Sequence, residues 1–362
     1  MDLAQFHLQS IQLAPLSVRL SHPFVIASAR VDVTPNVLVR VEVREIASGK
    51  LAFGLGEAAT LWPVTAEQPS DILKSLGKIA EMLPLAIDDA RLNQLPPCAS
   101  AGLDMAILDA LGKLSQRPVF QLLQPDAQPV QLTTDITIAI GQPQQMARLA
   151  AGWSERGFRC FKVKVGLDLS IDLQALVAIV AAVPDCVLRL DANGGYTQAQ
   201  AVNLCKQIDR LQLPVQCFEQ PCATEDLAAM AAVTNASPFD VIADESCKTM
   251  QDLDGLLDTD SCNGINLKLV KTGGLRQCYA IGMRARANGL SLMVGAMVET
   301  RLGITAAAHL ATALGGVQYP DLDTAFLLDD DPFVGGYHAD RANLHLTGAA
   351  GLGVEVGKVL GI

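Results

Sequence analysis

Strand-like runs recur along most of this chain at nearly constant intervals, and this spacing limits the possible folds more than any other feature. The steps between polar residues near consecutive strand ends are 27, 28, 25 and 24 residues, for the series Lys164, Asp191, Glu219, Asp244 and Lys268. A strand, a helix and two loops need about 30 residues. Units of this length in series predict a parallel (β/α)8 barrel.

There are eight such runs, and they begin near residue 129, where strand-like runs start to alternate with helical stretches. They cover residues 132–138, 162–165, 187–191, 215–219, 241–244, 265–269, 291–295 and 317–321. Earlier in the chain, apolar and polar residues alternate as in strands, and a long stretch with helical periodicity follows. We therefore predict an α+β domain over residues 1–128 and a catalytic barrel over residues 129–324.

Composition argues against several classes of partner. Half of the 362 residues are hydrophobic and the formal net charge is −11, which argues against binding to nucleic acid or to an anionic membrane surface. The sequence contains no run of about 20 uninterrupted apolar residues, so no membrane span is expected. Nine cysteines without a CxxC pair, and no leader-like N-terminus, predict a cytoplasmic protein with reduced thiols. A homo-oligomer is compatible with the sequence, which does not fix a subunit count.

Two lysines lie on one face of the second predicted strand. Alternation along this strand sends Phe161, Val163 and Val165 to one side. Lys162 and Lys164 then share the other side. An exposed edge strand with a charged rim shows the same pattern. The polar ends of the following strands favour a position at the mouth of the barrel instead.

Carboxylates end the next three strands, at Asp191, Glu219 and Asp244. In a barrel they meet at one level of the mouth, where they raise one another's pKa unless a cation neutralises them. Oxygen ligands with room for water and substrate suit Mg²⁺. A salt bridge to a loop lysine explains any one of these acids equally well. Three of them in register favour a metal site.

Lys268 ends the sixth strand, which lies opposite the second in an eight-stranded ring. Lys164 and Lys268 are therefore predicted to face each other across the mouth. A lysine acts as a general base when its pKa falls toward the working pH, and a nearby ammonium, a divalent cation and desolvation all act in that direction. Two opposed bases allow a proton to leave one face of a carbon and return to the other, as in a racemase or epimerase.

Together these motifs resemble the enolase superfamily, in its muconate-lactonising subgroup. The matching stretches are Lys162-Val163-Lys164, Asp191-Ala192-Asn193, Phe218-Glu219-Gln220-Pro221, Ala243-Asp244-Glu245-Ser246 and Ile265-Asn266-Leu267-Lys268. A lysine or histidine base acting with Mg²⁺ is an established pattern of that superfamily. The resemblance implies that Lys164 and Lys268 are the acid/base residues and that Lys162 contacts the substrate carboxylate. It also implies a C-terminal tail, residues 325–362, that returns to the capping domain.

The subgroup contains cycloisomerases, o-succinylbenzoate synthases, N-acylamino-acid racemases and dipeptide epimerases. Asp321 and Asp323 resemble the pair that holds the free α-ammonium of the dipeptide in the epimerases, although an acidic turn or a helix cap shows the same residues. Thr137, Met297 and Glu299 also look like substrate-binding residues of that family. The resemblance thus implies a dipeptide epimerase, an isomerase working by two-base 1,1-proton transfer. An N-acylamino-acid racemase, an o-succinylbenzoate synthase and a barrel that only binds a ligand remain alternatives.

Side-chain specificity is expected from two loops of the capping domain. Family members acting on Ala-Glu resemble one another in carrying a cationic residue in the first loop. The aligned position here is Ala29, and Arg30 follows it. Arg30 favours Ala-Glu, whereas Val25, Ile26 and Trp62 favour an apolar dipeptide. The sequence leaves both substrates open.

Overall fold

The N-terminal part of the chain is an antiparallel sheet backed by helices, in a computed structural model that describes residues 2–25 and 30–357. Its first strands are β1 (Phe6–Leu16), β2 (Arg19–Val25), β3 (Arg30–Val33), β4 (Asn36–Glu45) and β5 (Leu51–Ala58). They are followed by α1 (Pro69–Ala80), β6 (Leu85–Ala86), α2 (Pro97–Ser115) and α3 (Val119–Leu123). The main sheet has the order β5-β4-β1-β6, and β2 pairs with β3. The predicted α+β character of this part is confirmed.

Two glycines let helix α2 approach strand β5 closely. A β-carbon at Gly54 would lie 1.9 Å from the carbonyl oxygen of Ala106, and one at Gly56 would lie 2.0 Å from that of Gly102. Alternation brings the apolar residues of the sheet to the same helix, and Val39 on β4 is fully buried. The glycines of this strand therefore serve packing between sheet and helix.

The rest of the chain alternates strands and helices. After β7 (Gln131–Thr133), the barrel strands are β8 (Ile136–Ile138), β9 (Cys160–Lys164), β10 (Val187–Asp191), β11 (Val215–Glu219), β12 (Asp240–Ala243), β13 (Gly264–Leu267), β14 (Ser291–Gly295) and β15 (Tyr319–Asp321). The helices are α4 (Pro143–Glu155), α5 (Leu169–Ala182), α6 (Gln198–Leu211), α7 (Leu227–Ala236), α8 (Met250–Asp258), α9 (Leu269–Thr272), α10 (Leu275–Ala287) and α11 (Arg301–Leu314). Strands β8 to β15 pair in sequence order, each parallel to its neighbour. The predicted (β/α)8 barrel is confirmed.

The first predicted strand of the barrel is in fact two strands, β7 and β8, separated at Thr134. The Thr134 hydroxyl accepts a hydrogen bond of 2.8 Å from the backbone N–H of Leu322. The Asp323 carboxylate accepts one of 2.6 Å from the backbone N–H of Thr137. Within the described residues no backbone ladder joins β8 to β15. Side chains therefore close the seam between the first and last strands.

The C-terminal tail contacts both parts of the molecule. It contains a 3₁₀ turn (Thr324–Leu327), β16 (Phe333–Gly335), β17 (Tyr337–Asp340), β18 (Asn343–Leu346) and β19 (Val354–Val356). Strand β18 pairs with β7, and β16 pairs with β19. The N–H of Val119 on α3 donates to the carbonyl oxygen of Gly351 at 3.0 Å, and the N–H of Leu352 donates to Asp109 of α2 at 2.8 Å. These bonds connect the tail to the N-terminal part. The exact domain boundaries remain a prediction.

Two further features concern the cysteines and the lengths of the helices. All nine cysteines are free thiols, and eight of them are buried. Across the described ranges, every helix is too short or too polar to cross a membrane.

The close approach of α2 and β5 can be tested by adding one methyl group. We expect Gly56→Ala to lower the free energy of unfolding by about 1–3 kcal/mol, because the methyl group collides with backbone. Gly77→Ala in α1 is the matched control, since nothing lies within 4 Å of its added β-carbon. It should raise the free energy of unfolding by about 0.5–1 kcal/mol. Urea unfolding measures both, and a Gly56→Ala protein as stable as the wild type contradicts the packing.

Candidate active site

A cavity lies at the carboxyl ends of the barrel strands, with part of its wall supplied by the N-terminal domain. Its lining residues are Leu61, Val64, Thr137, Lys162, Lys164, Asn193, Lys268, Ala296, Met297, Val298, Asp321, Asp323 and Thr324. Both predicted acid/base lysines and most predicted substrate residues are in this set. The end of a parallel barrel at which the strands terminate is where such enzymes carry out their chemistry.

Lys162 connects two groups of carboxylates. Its Nζ lies 2.6 Å from Glu219 Oε2, 2.7 Å from Asp321 Oδ2 and 3.2 Å from Asp191 Oδ2. Burial opposes its charge, but these carboxylates outweigh burial and hold the pKa of Lys162 well above its usual range. Lys162 therefore stands between the predicted metal ligands and the predicted ammonium pair.

Lys164 and Lys268 reach the cavity from the second and sixth barrel strands. Lys164 Nζ lies 2.6 Å from Asp191 Oδ2, and Lys268 Nζ lies 2.8 Å from Asp244 Oδ2. Burial again opposes the charge, but Asp244 and Glu219 hold the pKa of Lys268 above its usual range. This is opposite to the fall in pKa that general base catalysis needs. A neutral Lys268 requires that another cation take up the charge of these carboxylates.

The three predicted metal ligands are buried at the ends of neighbouring strands. Asp191 pairs in register with Glu219, and Asp244 directly follows β12. Burial and the Asp191 carboxylate raise the pKa of Glu219 to about 7. Although burial opposes it, the surrounding lysines hold the pKa values of Asp191 and Asp244 below their usual range. Three buried carboxylates, one of them with its pKa raised by a neighbouring carboxylate, are oxygen donors that fit a hard divalent cation.

Two residues beside this centre, Lys271 and Asn193, were given no role from the sequence. Lys271, in the short helix after β13, contacts the carboxylate of Asp244 and donates to its backbone carbonyl at 2.6 Å. Asn193 accepts from Lys164 Nζ at 3.2 Å and donates to Glu245 Oε1 at 3.1 Å. Lys271 follows Lys268 by three residues, and from the sequence alone it cannot be told from a surface lysine. Both side chains help to orient the charged groups beside them.

Asp321 and Asp323 lie at the seam of the barrel, and a third acid joins them. One oxygen from each of Asp135, Asp321 and Asp323 lies within 4.8 Å of the other two, and no other group of acids does so among the described residues. Burial and Asp321 raise the pKa of Asp323 to about 6. The sequence signal for Asp135 was its position two residues before Thr137, on the same face of the chain.

Glu299 lies behind the cavity wall rather than in it. Its Oε1 accepts a hydrogen bond of 2.9 Å from the backbone N–H of Met297, which does line the cavity. Glu57, from β5 of the N-terminal domain, accepts hydrogen bonds from the N–H and hydroxyl of Thr300 and from the N–H of Gly303. Burial and Glu57 raise the pKa of Glu299 to about 8. Glu299 thus orients Met297, while Glu57 caps helix α11 and joins the two domains.

The structure describes the second specificity loop in full and the first only in part. From the second loop, residues 58–63, Leu61 lines the cavity together with the following Val64, whereas Trp62 is 58% exposed and is absent from the lining. In the first loop, the predicted residues fall outside the described residues or have side chains outside them: Val25, Ile26, Ala29 and Arg30. The described part of the cap therefore presents apolar side chains to the cavity.

Comparisons with known proteins agree with this geometry. Residues 145–358 match the family model described as Enolase C-terminal domain-like. An L-Ala-D/L-amino acid epimerase of Populus trichocarpa is 35% identical over 93% of this chain and 82% of its own length. An aromatic dipeptide epimerase of Herpetosiphon aurantiacus is 35% identical over 96% of this chain and 99% of its own.

A solved structure is similar over nearly the whole chain. The dipeptide epimerase of Enterococcus faecalis V583, complexed with Mg and the dipeptide L-Leu-L-Tyr, has a TM-score of 0.86 and 30% sequence identity. The match covers 96% of this chain and 99% of that one. The resemblance inferred from the strand-end motifs is confirmed. This chain belongs to the Enolase C-terminal domain-like family.

Proposed function

We propose that this protein is a Mg²⁺-dependent dipeptide epimerase, which inverts the α-carbon next to the dipeptide carboxylate by two-base 1,1-proton transfer. One observation carries the proposal: Lys164 and Lys268 reach a single cavity from the second and sixth strands of the barrel, together with Asp321 and Asp323. The activities named for the similar proteins support the same reaction.

Asp191, Glu219 and Asp244 are the residues proposed to hold the ion. When bound, Mg²⁺ neutralises their charge and stabilises the negative charge that develops on the substrate carboxylate as the α-proton leaves. Lys162, on the strand next to Asp191, is proposed to contact that carboxylate. Its ammonium lies close enough to these acids to add its charge to the same region.

The two lysines divide the proton transfer between them. Neutral Lys164 Nζ removes the α-proton from one face, and protonated Lys268 Nζ delivers a proton to the other; the other epimer reacts with the roles reversed. Both side chains are almost fully buried, which keeps bulk water from the carbon during the transfer. The delivered proton comes from the opposite lysine, whose ammonium exchanges with solvent, so it differs from the proton removed. Solvent hydrogen therefore enters the product.

The cavity walls support a dipeptide with a free amino terminus. Asp321 and Asp323 are buried carboxylates that favour a cation, and an N-acylamino acid or a succinylbenzoate precursor has none to offer. Leu61, Val64 and Met297 supply apolar surface to the same cavity. We therefore expect dipeptides with apolar side chains to be preferred.

A mass-spectrometric screen tests the function directly. Pooled L,L-dipeptides are incubated with the protein and Mg²⁺ in D₂O, and a gain of one mass unit at an α-carbon reports exchange. We expect label on apolar dipeptides. Label on N-acylamino acids alone supports the racemase instead. No label on dipeptides, N-acylamino acids or a succinylbenzoate precursor leaves a barrel that only binds its ligand, and the proposed function fails.

Single lysine variants test the two-base division of labour. Lys164→Ala and Lys268→Ala should each reduce epimerisation by about 100-fold or more, because each removes one proton-transfer group. Each variant should still exchange the α-proton of one epimer, and the two variants should retain opposite epimers. Lys206→Ala, an exposed lysine on α6, is the control and should behave as the wild type. Near-normal epimerisation by Lys268→Ala contradicts the mechanism.

Removal of the metal tests the carboxylate centre. A chelator should abolish deuterium exchange, and added Mg²⁺ should restore it. Asp244→Asn should raise the Mg²⁺ concentration for half-maximal activity by about tenfold or more, because it removes a charged ligand. The matched control is Asp109→Asn, a buried aspartate of α2 whose ion-pair partner is Lys113. Full activity in the chelator refutes the metal requirement.

A further inference from the structure

Lys271 is a buried lysine that is surrounded by three acceptors and is not among the residues that line the cavity. It lies in the short helix α9, and its side chain is 5% exposed. Its Nζ contacts Asp244 Oδ1 and donates to the backbone carbonyl oxygens of Asp244 at 2.6 Å and of Asn266 at 2.9 Å. An ammonium has three N–H donors, so these acceptors use all of them. Lys271 therefore has no donor left for a substrate.

The bonds of Lys271 join the ends of two neighbouring barrel strands. Asp244 directly follows β12, and Asn266 is the third residue of β13. Both carbonyl groups belong to the backbone, so they fix the ammonium independently of the Asp244 carboxylate. The side chain of Asn266 also donates to Glu219 Oε1 at 2.7 Å. One small network thus connects Lys271 to two of the three proposed metal ligands.

The other lysine on the Asp244 carboxylate is anchored differently. Lys268 Nζ lies 2.8 Å from Asp244 Oδ2 and 3.7 Å from Glu219 Oε1. Among the described residues, no backbone carbonyl accepts a hydrogen bond from Lys268 Nζ. Asp244 therefore has one oxygen held by an ammonium that the backbone fixes. Its other oxygen is held by an ammonium whose partners are themselves proposed metal ligands.

We propose that Lys271 is a positioning residue for the metal site: it holds Asp244 Oδ1, so that Oδ2 is presented to the ion, and the ion displaces Lys268 from Oδ2. This inference rests on the proposed function, which assigns Asp244 to the metal, and extends it to the residue that fixes this ligand. Loss of a partner that orients a metal ligand typically weakens metal binding by about 10- to 100-fold. Loss of a nearby cation without that role has the opposite effect, because its repulsion of the divalent ion disappears.

Calorimetric titration of the full-length protein with Mg²⁺, after dialysis against a chelator and without substrate, separates the two effects. Lys271→Met keeps an unbranched side chain but removes the ammonium. It should raise the Kd for Mg²⁺ by about 10- to 100-fold, because Asp244 loses its fixed partner. Lys268→Met should lower the Kd by about tenfold or more, because a charge-assisted hydrogen bond no longer competes with the ion.

Lys113→Met is the matched control for the loss of an ion pair. Lys113, in α2, donates to Asp109 Oδ2 at 2.7 Å and to the carbonyl oxygen of Phe53 at 3.1 Å. The variant therefore loses a carboxylate bond and a carbonyl bond, as Lys271→Met does, but in the N-terminal domain. Its Kd for Mg²⁺ should equal that of the wild type.

A second measurement separates positioning from proton transfer. Epimerisation is followed at increasing Mg²⁺ concentration with the apolar dipeptide that exchanges fastest in the screen. Lys271→Met should recover its rate when Mg²⁺ saturates the site, because Lys271 transfers no proton. Lys268→Met should remain impaired at every Mg²⁺ concentration, because it lacks a proton-transfer group. Failure of Lys271→Met to recover at saturation contradicts a purely positioning role.

The Kd values decide the inference. An unchanged or lower Kd in Lys271→Met makes Lys271 only a nearby charge, and an unchanged or higher Kd in Lys268→Met refutes the displacement; either result overturns the inference. If Lys271→Met does not fold, Lys271→Gln replaces it, and if neither folds the Lys268→Met titration decides. Absence of Mg²⁺ binding by the wild type refutes the proposed function itself. A wild type that binds Mg²⁺, with the variants in the wrong order, refutes only the inference.

Discussion

Charge balance in the low-dielectric mouth of the barrel is the constraint on which the rest of this structure depends. Moving a carboxylate or an ammonium out of water costs several kcal/mol, and a partner recovers this only when its geometry is well fixed. Here the partners are fixed by strand register, since Lys164 and Asp191 pair across β9 and β10, and Asp191 and Glu219 across β10 and β11. Rigid strands rather than loops therefore carry the chemistry.

The parts of this arrangement that follow strand register could be predicted from the sequence. Parallel strands of one barrel end at a common level, so polar residues at regular steps along the chain become neighbours in space. This is why the sequence alone predicts that Lys164, Lys268, Asp321 and Asp323 meet at one cavity. Alternation within β9 likewise predicted that Lys162 shares the face of Lys164, and the structure agrees.

What could not be predicted depends on contacts between segments far apart in the chain. Asp135 pairs with Arg189 of β10 and lies beside Asp321 across the seam, and alternation within one strand reveals neither contact. The family resemblance alone implies that Glu299 binds the substrate. The fold turns its carboxylate back onto the Met297 backbone instead. The periodicity of a sequence does not predict the direction in which the backbone of a loop turns.

The bond between Glu57 and helix α11 also bears on how such proteins diverge. Glu57 belongs to the cap, yet it satisfies backbone N–H groups of Thr300 and Gly303 that have no partner within their own helix. Asn36, from a neighbouring cap strand, bonds to both Glu57 and the carbonyl oxygen of Val298. A cap acquired by recombination must bring an equivalent carboxylate and amide to this joint. A cap exchanged without them leaves the N–H groups of Thr300 and Gly303 unpaired, whereas changes confined to the loops leave this joint intact.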